Sequence, residues 1–113
     1  ATSEAGASPH RAKLRYTDDP NVDISVKPGD PRYAAVINQT NDVLAKHDYG
    51  QITDVEKLNW NGNVVGIVGK VDHLGRKVPV VVMYVVESHQ GEYVWDTVTL
   101  SVNRELIESP LGQ

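Results

Sequence analysis

Apolar and polar positions follow two different periods along this chain, and the change comes at Gly50. Between Pro31 and Asp48, residues Tyr33, Val36, Ile37, Thr40, Val43, Leu44 and His47 recur at spacings of three and four. Arg32, Gln39, Asp42 and Lys46 fall on the other side. That spacing predicts one amphipathic α-helix over about 31–48, with an apolar stripe along one side. Its start is signalled as well: Asp30 can accept backbone N–H groups as an N-cap. Pro31 suits the first helical position, where its missing N–H would have no partner anyway. Gly50 stands where the chain needs a left-handed exit.

Beyond Gly50 the period falls toward two. Of 18 valines, 14 lie at or after Val55, and β-branched side chains suit a pleated surface. Four extended segments are predicted, about 51–60, 63–73, 77–88 and 92–102. They are separated by Asn61-Gly62, Leu74-Gly75-Arg76 and Ser88-His89-Gln90-Gly91. Asn-Gly between extended runs is a strong hairpin signal. Three tight turns in succession mean an antiparallel meander, because parallel neighbours need crossovers of about a dozen residues. Before the helix, Val22, Ile24 and Val26 alternate with Asp23 and Ser25, a short half-buried strand ended by Lys27-Pro28-Gly29. The chain therefore reads as α+β: one N-terminal helix packed on a four-stranded antiparallel meander, with a short strand before the helix.

Burial should differ between strands. In 78–86, Val78, Val80, Val82, Tyr84 and Val86 point one way, while Val81, Met83 and Val85 point the other. A strand apolar on both faces is either central or part of a partner interface. In 92–102 the alternation predicts an inner row of Val94, Val98, Leu100 and Val102, interrupted by Asp96. Tyr93, Trp95, Thr97, Thr99 and Ser101 form the other row. Asp96 is then either a carboxylate facing a pocket, available as a general base, or the mark of a β-bulge turning it to solvent; the bulge is preferred. In 51–60, Ile52, Val55 and Leu58 repeat every three, which a bulge or an extra helical turn would explain. Pro79 cannot donate to a ladder and belongs near a strand start or at an edge.

Residues 1–20 are small, polar and charged without apolar period, and read as a mobile arm. His10, Arg11, Lys13 and Arg15 form a basic cluster followed by Asp18 and Asp19, read as a solvated tail, with a docking arm for an acidic partner as the alternative. Residues 21–103 form the domain, and 104–113 a tail with a short helical turn or frayed end. At 113 residues a single domain is expected. A hydrophobic share of 40% with 23% charged residues excludes wholesale disorder. Eleven Lys and Arg against fifteen Asp and Glu leave a net charge of −4, so no nucleic-acid partner is expected. The absence of Cys excludes disulfides and thiolate chemistry within the chain. No apolar run reaches the roughly 18 residues of a membrane-spanning helix. Lack of Cys suits cytosol, periplasm and export alike, and the polar arm without an initiator Met leans toward export.

Motifs for chemistry are scarce. Gly66, Gly69 and Lys70 lack phosphate-loop spacing and sit in a run of β formers, where close backbone approach or a bend explains the glycines better. His73 and His89 end predicted strands, yet neither Asp72-His73 nor Glu87-Ser88-His89 has a zinc spacing, so neither a metal nor a cofactor is predicted. No Gly-x-Ser-x-Gly elbow occurs.

The order of one strand, one long helix and four antiparallel strands across about 22–102 resembles that of cystatin-like domains. Nuclear-transport-factor-like domains carry several helices before the sheet, where this chain offers one. The resemblance implies a sheet wrapped about a helix. Inhibitory cystatins wedge an N-terminal glycine segment, a Gln-x-Val-x-Gly hairpin and a Pro-Trp hairpin into papain-like proteases. Here Asn63-Val64-Val65-Gly66 stands near the first hairpin, with Asn for Gln and one residue fewer. Where the resemblance puts the Pro-Trp hairpin stand Ser88, His89, Gln90 and Gly91, with Trp95 downstream and no Pro-Trp pair, and Gly6 is the candidate N-terminal glycine.

The leading expectation is a non-catalytic protein-binding or assembly module. Its contact residues would be Trp60, Asn63, Val81, Met83, Val85, His89, Tyr93 and Trp95, with a protein partner or a second copy packed through the sheet face. Inhibition of papain-like proteases is one alternative. Another is a small enzyme or ligand carrier in which Asp96, His47 or Tyr84 lines a pocket between helix and sheet.

Overall fold

The computed structural model describes residues 14–109. Helix α1 spans Pro31–Lys46 and is followed by five strands: β1 Ile52–Asn61, β2 Val64–His73, β3 Arg76–His89, β4 Glu92–Val102 and β5 Glu105–Glu108. The strands lie side by side in chain order, and every neighbouring pair is antiparallel. The class is α+β with the helix before the sheet, as the two periods predict, but the meander has five strands where four were expected.

Helix α1 begins as its sequence dictates. Asp30 Oδ1 accepts the Arg32 N–H at 2.9 Å, and Pro31 occupies the first helical position. The exit differs. The helix stops at Lys46, and the left-handed residue is Asp48 (φ 66°), not Gly50. Asp tolerates that region better than most side chains. Val36, Thr40, Val43 and Leu44 are buried against the sheet. Opposite them, Leu58, Val65, Ile67, Val71, Val78, Val80, Val82, Tyr84 and Leu100 complete one contiguous core. Each fully buried Val or Leu contributes about 1.5–3 kcal/mol by leaving water.

Three of the connections are two-residue turns with both φ values positive: Leu74-Gly75, Gln90-Gly91 and Asn103-Arg104. This conformation matches the right-handed twist of paired strands. The third has no glycine to signal it in the sequence. Arg104 (φ 68°) stands where Gly usually signals such a turn, so residues 105–108 were read as tail; they pair with β4 from Leu100 to Val102. His47 Nε2 lies 3.2 Å from Glu108 Oε1 and links the helix end to this strand.

Two irregularities reset the faces. In β1 the register jumps between Thr53 and Lys57, with Asp54 at φ 50°, which is the bulge that the three-residue repeat suggested. In β4, Met83 pairs with Thr99 and Tyr84 with Thr97, leaving Val98 without a partner across the strand. One extra residue moves everything beyond it to the opposite face. The predicted inner row of Val94, Val98, Leu100 and Val102 is therefore corrected. Leu100 and Val102 face the helix, but before the bulge it is Tyr93, Trp95 and Thr97 that do so. Val94 and Asp96 share the outer face with Val85, the residue across from Asp96.

The expected strand 22–26 is reduced to a single bridge between Ser25 and Asn59. Ile24 accepts the Trp60 N–H and Val26 donates to Leu58, at 2.7 and 2.8 Å. These bonds cover the edge of β1 beside the helix-side core. Pro79 lies near the start of β3, as expected.

Candidate functional site

The up-and-down order puts the β1–β2 and β3–β4 turns at one end of the sheet. Residues 14–19 join them there. Arg15 N–H donates to Asn63 Oδ1 (2.8 Å), Asn63 N–H donates to the Arg15 carbonyl (3.2 Å), and Thr17 N–H donates to Asn61 Oδ1 (2.7 Å). Gly62 makes this approach feasible: its φ is 62°, and a Cβ there would run into the Arg15 carbonyl. The last residues of the expected arm thus lie pinned to the first hairpin. Gly6 and the rest of 1–13, with 110–113, are outside the described residues.

On the helix side of this end stands a ladder of rings. Trp60 and Tyr93 centroids are 5.3 Å apart, Trp60 and Trp95 6.0 Å, Tyr93 and Trp95 5.8 Å, and Tyr84 and Trp95 5.1 Å. The tilted and edge-on geometries are those that the ring quadrupole favours. Tyr84 anchors the ladder in the core, while Tyr93, 41% exposed, is its open end. The Arg32 guanidinium lies 5.4 Å from the Trp60 ring. Its Nε and Nη2 are bonded to Asp30, Nη2 at 2.9 Å. That pairing raises the Arg32 pKa and holds the Asp30 carboxyl below its ordinary value. Arg15, Arg32, Trp60, Gly62, Ser88 and Tyr93 line a cleft of about 250 Å³ between the N-terminal segment and the two hairpins.

The predicted contact residues divide between this end and the other face. Trp60, Tyr93 and Trp95 are in the ladder. Asn63 is buried and serves as the hydrogen-bonding partner of Arg15. His89 lies in the β3–β4 hairpin, with Nε2 2.8 Å from Glu87 Oε1. Val81 and Met83, each 37% exposed, lie on the outer face, and Val85 is buried there. An apolar groove of about 300 Å³ runs past them over Gly66, between Val64 and Val68 and under Tyr16 and Ile24.

The three residues named for a pocket between helix and sheet do not meet. Asp96 is on the face away from the helix, half-buried, with Oδ2 sealed from solvent and without a hydrogen-bond partner among the described residues. His47 is at the far end of the helix, against Glu108. Tyr84 is fully buried, its hydroxyl 2.8 Å from Thr40 Oγ1, and burial pushes its pKa up, so it stays neutral and unavailable as an acid or base. His73 ends β2 beside Arg76 at the start of β3, and His89 ends β3, so the two stand at opposite ends of the sheet, roughly 40 Å apart at about 3.3 Å per residue, and no cluster of three metal-binding groups occurs among the described residues. Asn63-Val64-Val65-Gly66 leads from the turn into strand β2, with Val65 fully buried, rather than forming a hairpin tip.

The sequence carries no sign that Arg15 and Arg32 meet at one cleft. Arg15 belongs to the basic cluster for which a solvated tail is preferred to a docking arm for an acidic partner, and Arg32 lies on the polar side of the helix; the helix N-cap alone hints that Arg32 is fixed in place. Comparison with protein-family models, with curated proteins and with solved structures finds no match to this chain.

Proposed function

We propose that this chain is a non-catalytic protein-binding module that receives its partner at the hairpin end. The observation that carries the reading is the partly exposed Trp60–Tyr93–Trp95 ladder, framed by residues 14–17 and two tight turns. Aromatic side chains present a large contact area at low entropic cost, and they dominate binding energy when a partner seals them. Here a packed core holds the rings in place before any partner arrives, which reduces the ordering cost of association.

Peptides selected from a random display library on the immobilised chain test this reading. Their affinity is expected to fall about tenfold or more in Trp60→Ala, while Met83→Lys leaves it unchanged. Equal binding by wild type and Trp60→Ala counts against the reading.

A second reading, assembly of two copies through the outer face, is favoured by the groove beside Val81 and Met83. Inhibition of papain-like proteases has less support. Three segments do gather at one end, but of the residues nearest the inhibitory hairpin motif Val64, Val65 and Gly66 are strand residues of β2.

A further inference from the structure

The cleft at the hairpin end has a charge pattern that specifies its ligand further. Arg15 forms no ion pair among the described residues, and its hydrogen bonds to the first hairpin come from its backbone. Arg15 is exposed and lines the cleft. Arg32 spends Nε and Nη2 on Asp30, which leaves Nη1 unbonded among the described residues. Asp30 and the Trp60 face fix the orientation of that guanidinium, so little side-chain entropy remains to be lost on binding. Ser88 and Tyr93, cross-strand neighbours, also line the cleft and add a hydroxyl and an aromatic ring.

Resting on the binding reading above, we propose that this cleft takes a single carboxylate of the partner, an Asp or Glu side chain within a protein segment. Arg15 and Arg32 hold the carboxylate, and the flanking residue of the segment lies on the Trp60 and Tyr93 rings. One anionic group gains charge-assisted bonds at short range. A polyanion such as nucleic acid gains the same local bonds but meets the net charge of −4 over the rest of the chain.

A position-scanned array of capped heptapeptides, probed with the whole chain, tests this. Glu is expected to bind about tenfold better than Gln at one position, with an aromatic or aliphatic residue beside it. Raising the salt from 50 to 500 mM should shrink the preference. Arg15→Gln and Arg32→Lys should each reduce it severalfold without altering the near-ultraviolet signal of the ring ladder. The Arg15 contacts to the hairpin are made by its backbone, so at least that variant keeps the fold. If peptides bind through Trp60 with no preference for Glu over Gln, the carboxylate assignment fails and the binding module stands. If no peptide binds, both fail. Displacement of the peptide by an equimolar oligouridylate would overturn the assignment in favour of a nucleic acid.

Discussion

Tyr84→Ala is expected to destabilise the chain by about 4 kcal/mol, a large part of the roughly 5–15 kcal/mol that holds a domain of this size together. Tyr84 is fully buried at the centre of β3, where it touches the Trp95 ring and reaches Thr40 of α1. Truncation removes the ring and leaves a cavity. It also leaves the buried Thr40 hydroxyl without its partner, so transfer, cavity and hydrogen-bond costs act together. Urea unfolding separates these contributions. Tyr84→Phe keeps the ring and should cost about 1–2 kcal/mol. Adding Thr40→Val to Tyr84→Phe should recover part of that loss, because neither side chain then leaves a buried hydroxyl unpaired. A Tyr84→Phe variant as stable as the wild type would show that the helix is not tied to the sheet through this bond.

Gly69→Val is expected to cost about 2–3 kcal/mol, although valine normally suits a strand better than glycine. A Cβ at Gly69 would stand 2.9 Å from the Thr53 carbonyl and 3.0 Å from Ile52 Cδ1, where β1 bulges across it. The backbone oxygen cannot rotate away as a side chain would. Three residues earlier, nothing lies within 4 Å of a Cβ at Gly66. Gly66→Val should therefore be neutral, or stabilising by up to about 1 kcal/mol. The two substitutions are alike in chemistry and opposite in sign, and thermal unfolding of both variants tests whether the bulge is placed correctly.

These two glycines also mark how far the sequence could be read. Both were assigned to close approach or a bend; Gly69 has a close neighbour, while Gly66 is open above the groove. The helix was legible because its stripe, cap and proline agree, and the first four strands because tight turns separate them. Strand β5 was not, since Arg104 carries a conformation that glycine usually announces. The ring ladder was legible only as separate aromatic residues. Tyr93 and Trp95 were placed in the row opposite Leu100, and a single unpaired residue at Val98 returned them to the helix side. Side-chain alternation carries no mark of such an insertion beyond the misplaced Asp96. The cleft was hidden further, because Arg15 reaches Asn63 across 48 positions of chain, and no local period records a contact of that range.

Hydrogen exchange of the chain, free and bound to a library-selected peptide, tests most directly whether the hairpin end is the binding surface. Slowed exchange is expected in residues 14–17, 60–63 and 88–93, with the strand residues around Val68 and Val81 unchanged. Protection confined to Val64–Val68 and Val81–Val85 would contradict it and move the partner to the opposite side of the sheet.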